Sequence, residues 1–118
     1  MFSLDGMNAL VTGATGGIGS AICRALAQQG ARLAITGSNG DKLRAFRNEL
    51  NSEFKHDNGE HVEITCNLSD SVQVEELMPT MVDTLGGIDI LVNNAGITRD
   101  NLALRMKDDD WDDVVRVN

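Results

Sequence analysis

The sequence predicts an α/β fold, a doubly wound parallel sheet covered by helices, and three observations predict it. Strand and helix signals alternate without interruption along the 118 residues. The first apolar run leads straight into a glycine-rich turn, Thr12-Gly13-Ala14-Thr15-Gly16-Gly17-Ile18-Gly19, and then into an amphipathic helix. Aromatic residues are scarce, three Phe and one Trp with no Tyr, so small aliphatic side chains must do the packing. That is the composition of helices laid on a buried parallel sheet.

Each element follows from its own signals. Asn8-Ala9-Leu10-Val11-Thr12 reads as a buried strand, and the helix after the glycine turn runs from about Gly17 to Gln29, closed by Gly30. Ala31 to Thr36 is the second strand, and Gly37-Ser38-Asn39-Gly40 is turn chemistry. Leu43, Phe46, Leu50 and Phe54 recur at three- and four-residue spacing, which predicts a helix from Asp41 to about Phe54. The polar stretch Lys55 to Glu60 is a surface loop, and His61 to Cys66 supplies a third strand. His56 and His61 lie in or beside that loop and suggest no catalysis. Ser69 or Asp70 caps a helix that runs to about Leu85 and ends at Gly86-Gly87, with a bend expected at Pro79. Ile88 to Asn93 is the fourth strand. A loop to Lys107 and a last helix, capped by Asp108 or Asp109 and barely begun at Asn118, complete the chain.

This βαβαβαβ order predicts one domain over residues 1–118, with right-handed crossovers and strand order 3-2-1-4. Strand four is then an uncovered apolar edge, later strands being absent. The formal charge of −8 argues against nonspecific nucleic-acid binding and against an anionic membrane surface. No apolar run is long enough to span a bilayer, and the start of the chain lacks the features of a secretory signal, so a cytoplasmic protein is expected. The two cysteines, Cys23 and Cys66, fall inside apolar patterns and read as buried thiols without a disulfide. The acids Asp108, Asp109, Asp110, Asp112 and Asp113 read as helix N-terminal residues, and no metal site is expected.

The glycine turn carries the chemistry. Phosphates need close backbone approach and unpaired N–H groups, which a helix N-terminus supplies together with a favourable dipole. Gly13 permits the tight turn out of the strand. Gly17 and Gly19 remove side chains where cofactor and sheet approach the helix start. After the second strand, an acid would bind a free ribose 2′-hydroxyl and repel a 2′-phosphate. Here Gly37-Ser38-Asn39 has no acid, which favours NADP(H) over NAD(H). Ser38 and Asn39 can hydrogen-bond a phosphate, with Lys42 or Arg44 nearby, although both cations also read as solvated helix charges. Against NADP(H), the turn from Thr12 to Gly19 carries no basic residue for a 2′-phosphate, Gly16 standing in it instead.

The spacing Thr12-Gly13-x-x-x-Gly17-x-Gly19, with Asn93-Asn94-Ala95-Gly96 directly after the fourth strand, resembles the short-chain dehydrogenase/reductase family. The segment from Asn93 to Lys107 and the run Asp110-Trp111 to Asn118 resemble its bacterial 3-oxoacyl-acyl-carrier-protein reductases in particular. The resemblance covers the whole chain and implies a Rossmann-type fold and cofactor contacts from Gly13, Ala14, Thr15, Gly16, Gly17, Ile18 and Gly19. It further implies Ser38 near the adenosine ribose, Asn67 and Leu68 at the adenine, and Asn94, Ala95 and Gly96 along the ribose and central sheet. Asn67 stands where relatives carry an acid, and its amide oxygen can accept the same hydrogen bond from the adenine amino group; an Asx turn is the alternative. Asn118 aligns with the family's catalytic asparagine, which holds a water in the proton relay, while the Tyr-x-x-x-Lys pair would lie beyond it.

The implied reaction is NADPH-dependent reduction of 3-oxoacyl-acyl-carrier-protein in fatty-acid elongation by a homo-tetramer, the 118 residues alone being inactive. Another short-chain carbonyl reductase and an inactive dinucleotide-binding fragment are the alternatives. Arg99, Arg105 and Lys107 could help dock an acidic carrier protein or pair locally with the neighbouring acids. Trp111 reads as a packing anchor.

Overall fold

The computed structural model describes residues 3–55, 59–67, 69–94 and 115–117. The elements in order are β1 (Asn8–Thr12), α1 (Gly17–Gln28), β2 (Arg32–Gly37), α2 (Gly40–Glu53), β3 (Val62–Thr65), α3 (Ser71–Leu85), β4 (Ile90–Asn93) and β5 (Val115–Val117). The strands form one sheet in the order β3-β2-β1-β4-β5. Every pairing is parallel, with Val11 opposite Ile35 on one side and Val92 on the other. The expected 3-2-1-4 order is therefore present, and the fold is a Rossmann-type parallel sheet.

Strand alternation sorts the core into two layers. Ala9 and Val11 of β1, Leu33 and Ile35 of β2, and Ile90 and Val92 of β4 pack against Cys23 and Ala27 of α1 and Leu43, Phe46 and Leu50 of α2. Leu10, Ala34 and Leu91 point the other way, onto Val74, Leu77, Met78, Met81 and Leu85 of α3. Successive side chains leave a strand on opposite faces, so each strand serves both layers and reads as a continuous apolar run. The chain steps from β1 to β2 to β3 with α1 and α2 on one face. It then crosses back over β1 to β4 with α3 on the other, and that reversal opens a crevice beyond the ends of β1 and β4.

Helix ends follow their local chemistry. Asn39 caps α2 by accepting from the Lys42 N–H at 3.1 Å. Of the two candidates at α3, Asp70 is the cap, accepting from the N–H groups of Val72 at 3.0 Å and Gln73 at 3.4 Å. The helix ends at Gly86, whose φ of 85° is the left-handed conformation that a side chain disfavours. α3 continues through Pro79, with Met78 and Met81 buried on either side of it. Gln29 closes α1, one residue before Gly30.

Two expectations are corrected. The end of the chain is not described as a helix: Val115–Val117 forms β5, paired in parallel with Ile90, Leu91 and Val92. β4 is thus covered on both sides and a later strand is present. Two β-branched valines suit an extended segment, and the free N–H and C=O groups of β4 offer it a ladder of hydrogen bonds. His61, expected beside the polar loop at the start of the third strand, lies directly before β3, and its side chain is buried at 1 % exposure. Its Nδ1 accepts from the Leu33 N–H at 3.0 Å and its Nε2 lies 2.9 Å from the Phe54 carbonyl. Asn51 binds the His61 backbone from both sides, accepting from its N–H at 2.7 Å and donating to its C=O at 3.1 Å. The ring thereby joins β2, the end of α2 and the start of β3 at the edge of the sheet.

Candidate functional site: a cleft at the strand ends

The glycine turn sits at the C-terminal end of β1 and is tied down from two directions. The Ala14 N–H donates to the Thr36 carbonyl of β2 at 3.2 Å. The Asn94 side-chain amide donates to the Gly13 carbonyl at 3.2 Å. Gly13 has φ of 64°, and a Cβ on Gly19 would collide with the Gly13 carbonyl oxygen and stand 2.9 Å from the Asn94 amide nitrogen. Two glycines are therefore needed to let the turn, the helix start and the end of β4 meet at one point. Thr12 supports the same junction from below, its hydroxyl lying 3.3 Å from the Asn93 carbonyl oxygen of the side chain.

Gly16 is the N-cap of α1 and contributes no side-chain cap. The first-turn N–H groups of α1 are thus left for water or a bound anion, and the helix dipole favours the anion. Gly16 and Gly17 are exposed beside them, and Ile18 is 72 % exposed, an apolar side chain at the rim. Ala14 is buried, and Thr15 is half-buried.

From this turn a cleft of about 300 Å³ extends toward β3, lined by Gly13, Thr15, Gly37, Ser38, Cys66, Asn67 and Ser69. That volume is at the low end for small-molecule sites, enough for the adenosine portion of a dinucleotide rather than the whole of it. Sequence reasoning missed Gly37, Cys66 and Ser69 as lining residues. The available signal was positional: Gly37 and Cys66 lie at the C-terminal ends of adjacent parallel strands, where such crevices form. The Cys66 N–H donates to the Gly37 carbonyl at 2.9 Å, which holds the two walls together. Burial, and then the nearby Asp70 carboxylate, push the Cys66 thiol pKa up, so it is a neutral wall of the cleft rather than a nucleophile.

The structure brings together Gly13, Ala14, Thr15, Gly16, Gly17, Ile18, Gly19, Ser38, Asn67 and Asn94 around the strand ends. Asn39 has its amide oxygen committed to capping α2, while Lys42 and Arg44 are exposed. Leu68, Ala95, Gly96 and Asn118 lie outside the described residues, as do Arg99, Arg105, Lys107 and Trp111. Of the two readings of Asn67, the Asx turn is present: its amide oxygen takes the Ser69 N–H at 3.1 Å and the Ser69 hydroxyl at 2.6 Å. An Asx turn is worth more to this loop than an unfilled acceptor, because it satisfies a backbone donor at the entry to α3.

A glycine-lined turn between a central strand and an uncapped helix, opening onto a switch-point crevice, defines a dinucleotide-binding type of site. The comparisons with known proteins agree. The short chain dehydrogenase family model matches residues 7–118, and the chain belongs to that family. It is 47 % identical over 118 residues to nodulation protein G of Rhizobium sp. strain N33, covering all of this chain and 45 % of that protein. It is 44 % identical over 116 residues to 3-oxoacyl-[acyl-carrier-protein] reductase FabG of Vibrio harveyi, covering 98 % of this chain and 45 % of the relative. The chain thus spans a little under half the length of these curated relatives.

Among solved structures, the Pseudomonas aeruginosa RhlG/NADP active-site complex matches with a TM-score of 0.71 and 35 % identity, over 80 % of this chain and 36 % of that one. A blue fluorescent protein from a metagenomic library in complex with NADPH matches with a TM-score of 0.70 and 36 % identity, over 80 % of this chain and 38 % of that one.

Proposed function

We propose that residues 1–118 form the cofactor-binding domain of an NADPH-dependent 3-oxoacyl-acyl-carrier-protein reductase. The observation that carries this reading is the Gly13–Gly19–Asn94 junction, a cradle whose close backbone approach a single added Cβ would fill. Bound there, a reduced nicotinamide dinucleotide supplies the hydride. The N–H groups at the start of α1 would hold its pyrophosphate, and Asn94 fixes the turn that would present them. Ser38 would face the adenosine ribose, with no acid beside it in Gly37-Ser38-Asn39, which supports NADP(H) over NAD(H). Similar structures solved with NADP and NADPH support the same choice. By the family's pattern, Ala95 and Gly96 would contact the cofactor and Asn118 would position a relay water.

The similarity to 3-oxoacyl-acyl-carrier-protein reductases at 41–44 % identity supports the carrier-bound substrate, and with it a cytoplasmic homo-tetramer in fatty-acid biosynthesis. Residues 1–118 hold no tyrosine, so a tyrosine acid of the family's kind is not among them, and these residues alone would bind cofactor without turnover. That same absence favours the second reading, an inactive dinucleotide-binding module. Nodulation protein G, at comparable identity, keeps another short-chain reductase in view.

Fluorescence titration with NADPH and NADH, followed by an NADPH oxidation assay on acetoacetyl-acyl-carrier-protein, tests the proposal. Tighter binding of NADPH without turnover by residues 1–118, and turnover by the full-length gene product, is the expected result. Failure to bind either dinucleotide would sink the cofactor reading. Binding with no reduction by the longest gene product leaves the inactive module.

A further inference from the structure

The edge strand β3 is tied down at its start by one imidazole, and the hydrogen bonds around that ring fix its proton. Strand donors alternate in direction: the Arg32 N–H turns to the Met7 carbonyl ahead of β1, and the Leu33 N–H turns the other way. The β2–β3 register begins with Val62 opposite Ala34, one step later, so the Leu33 donor is met by the His61 ring instead of a strand carbonyl. A backbone N–H can only donate, so Nδ1, 3.0 Å from the Leu33 nitrogen, carries a lone pair. A backbone carbonyl can only accept, so Nε2, 2.9 Å from the Phe54 oxygen, carries the proton. The ring is thus neutral and buried, and Asn51 holds the His61 backbone from both sides.

We infer that His61 is an acid-released latch: a second proton, which only Nδ1 can take, cancels the acceptor of the Leu33 N–H and frees the start of β3 from β2. Two N–H groups would then face each other in a buried place, which costs the bond and the desolvation of the cation together. Among the described residues, the charged groups on the surrounding elements are Arg32 on β2, Arg47, Glu53 and Lys55 along and just after α2, and Glu60 and Glu63 on either side of His61. Arg32 donates to the Glu60 carbonyl at 2.8 Å, Glu53 is bound to Arg24, and Glu63 to Arg47. Three cations and three acids leave no net field in favour of an imidazolium, so the hydrogen-bond geometry decides. In the opened state the ring titrates at its ordinary value of about 6.5, whereas the latched ring excludes the proton. The latch is therefore complete above about pH 6.5 and weakens as pH falls below it. Its release reaches the cleft, because β3 ends at Thr65 and the next residue, Cys66, is part of the cleft wall.

The test follows the full chain by NMR between about pH 7.5 and pH 5, the span in which histidine changes charge. Long-range proton–nitrogen correlations of the His61 ring read which nitrogen carries the proton. Amide exchange, corrected for its intrinsic pH dependence, reads the protection of Leu33 against that of Leu10 and Leu91 in the centre of the sheet. The expected ring is protonated at Nε2 alone at the upper pH. Leu33 protection then falls about tenfold per pH unit below about pH 6.5, while Leu10 and Leu91 keep theirs. His61→Gln supplies an acceptor and a donor without a titrating proton, and should hold Leu33 protection constant across the range. If that variant does not fold, the comparison of Leu33 with Leu10 in the unaltered protein decides alone. A proton on Nδ1 at the upper pH overturns the inference, and so does Leu33 protection that stays constant down to pH 5. Loss at Leu10 and Leu91 in step with Leu33 also overturns it, since the whole sheet then opens and no latch is involved.

Discussion

Gly19 is the residue on which the site most depends, because the space for its Cβ is already taken by the Gly13 carbonyl and the Asn94 amide. Gly19→Ala is expected to push the turn away from β4. It should lower stability by roughly 1–3 kcal/mol, the usual range for overpacking, and weaken NADPH binding at least about tenfold, about 1.4 kcal/mol. Urea denaturation and fluorescence titration on the same preparation check both effects. Cys23 makes a second residue-scale prediction. Burial pushes its thiol from an ordinary 9.0 up to about 12, against a small opposing effect of Arg24. The unfolded chain therefore loses this proton first. The stability that the protonated, buried thiol contributes is complete below pH 9 and is lost as pH rises toward about 12. At pH 8 the native protein should leave Cys23 unalkylated by iodoacetamide, with labelling only after urea is added, as read by peptide mass spectrometry.

At the scale of elements, α3 owes its start to one side chain. Asp70→Ala removes acceptors for the Val72 and Gln73 N–H groups and should cost about 1 kcal/mol, whereas Asp70→Asn should recover most of it. Thermal unfolding of the two variants separates these outcomes. Most elements were legible because their signals are local: Ala9, Leu10 and Val11 make an unbroken apolar run, and Leu43, Phe46 and Leu50 keep helical spacing on one face. What escaped was set by distant partners. His61 reads in sequence as the start of a strand beside a polar loop, and nothing nearby reveals that Leu33 and Phe54 will meet its ring. Val115–Val117 lies in an acidic, helix-like context, and only the unpaired edge of β4 makes it a strand. At the site, the glycine turn was readable from spacing. The direction of the Asn67 amide was not, because Ser69 decides it.

Across the whole molecule, charge and sheet act in opposite senses. Eighteen acids against ten bases give a formal charge of −8, and self-repulsion of that size opposes the compact state. The three ion pairs among the described residues relieve little of it, since Arg24 with Glu49 and Glu53 is substantially exposed and Arg47 with Glu63 is only partly covered. Raising salt from about 10 mM to about 0.15 M shortens the Debye length from about 30 Å to about 8 Å. The melting temperature should rise by roughly 4 °C, the equivalent of about 1 kcal/mol. A fall across that range, in differential scanning calorimetry, would show that the net repulsion is not what limits stability.

The two hydrogen bonds on the glycine turn, from Ala14 to β2 and from Asn94 to Gly13, also bear on how a ligand would be met. A loop already fixed by its neighbours has little freedom left to surrender, so association forgoes much of the ordering cost that flexible phosphate loops incur. Encounter would then be governed by diffusion and orientation rather than by waiting for the loop to close. The kinetic signature is an observed binding rate that climbs linearly with ligand concentration and shows no plateau.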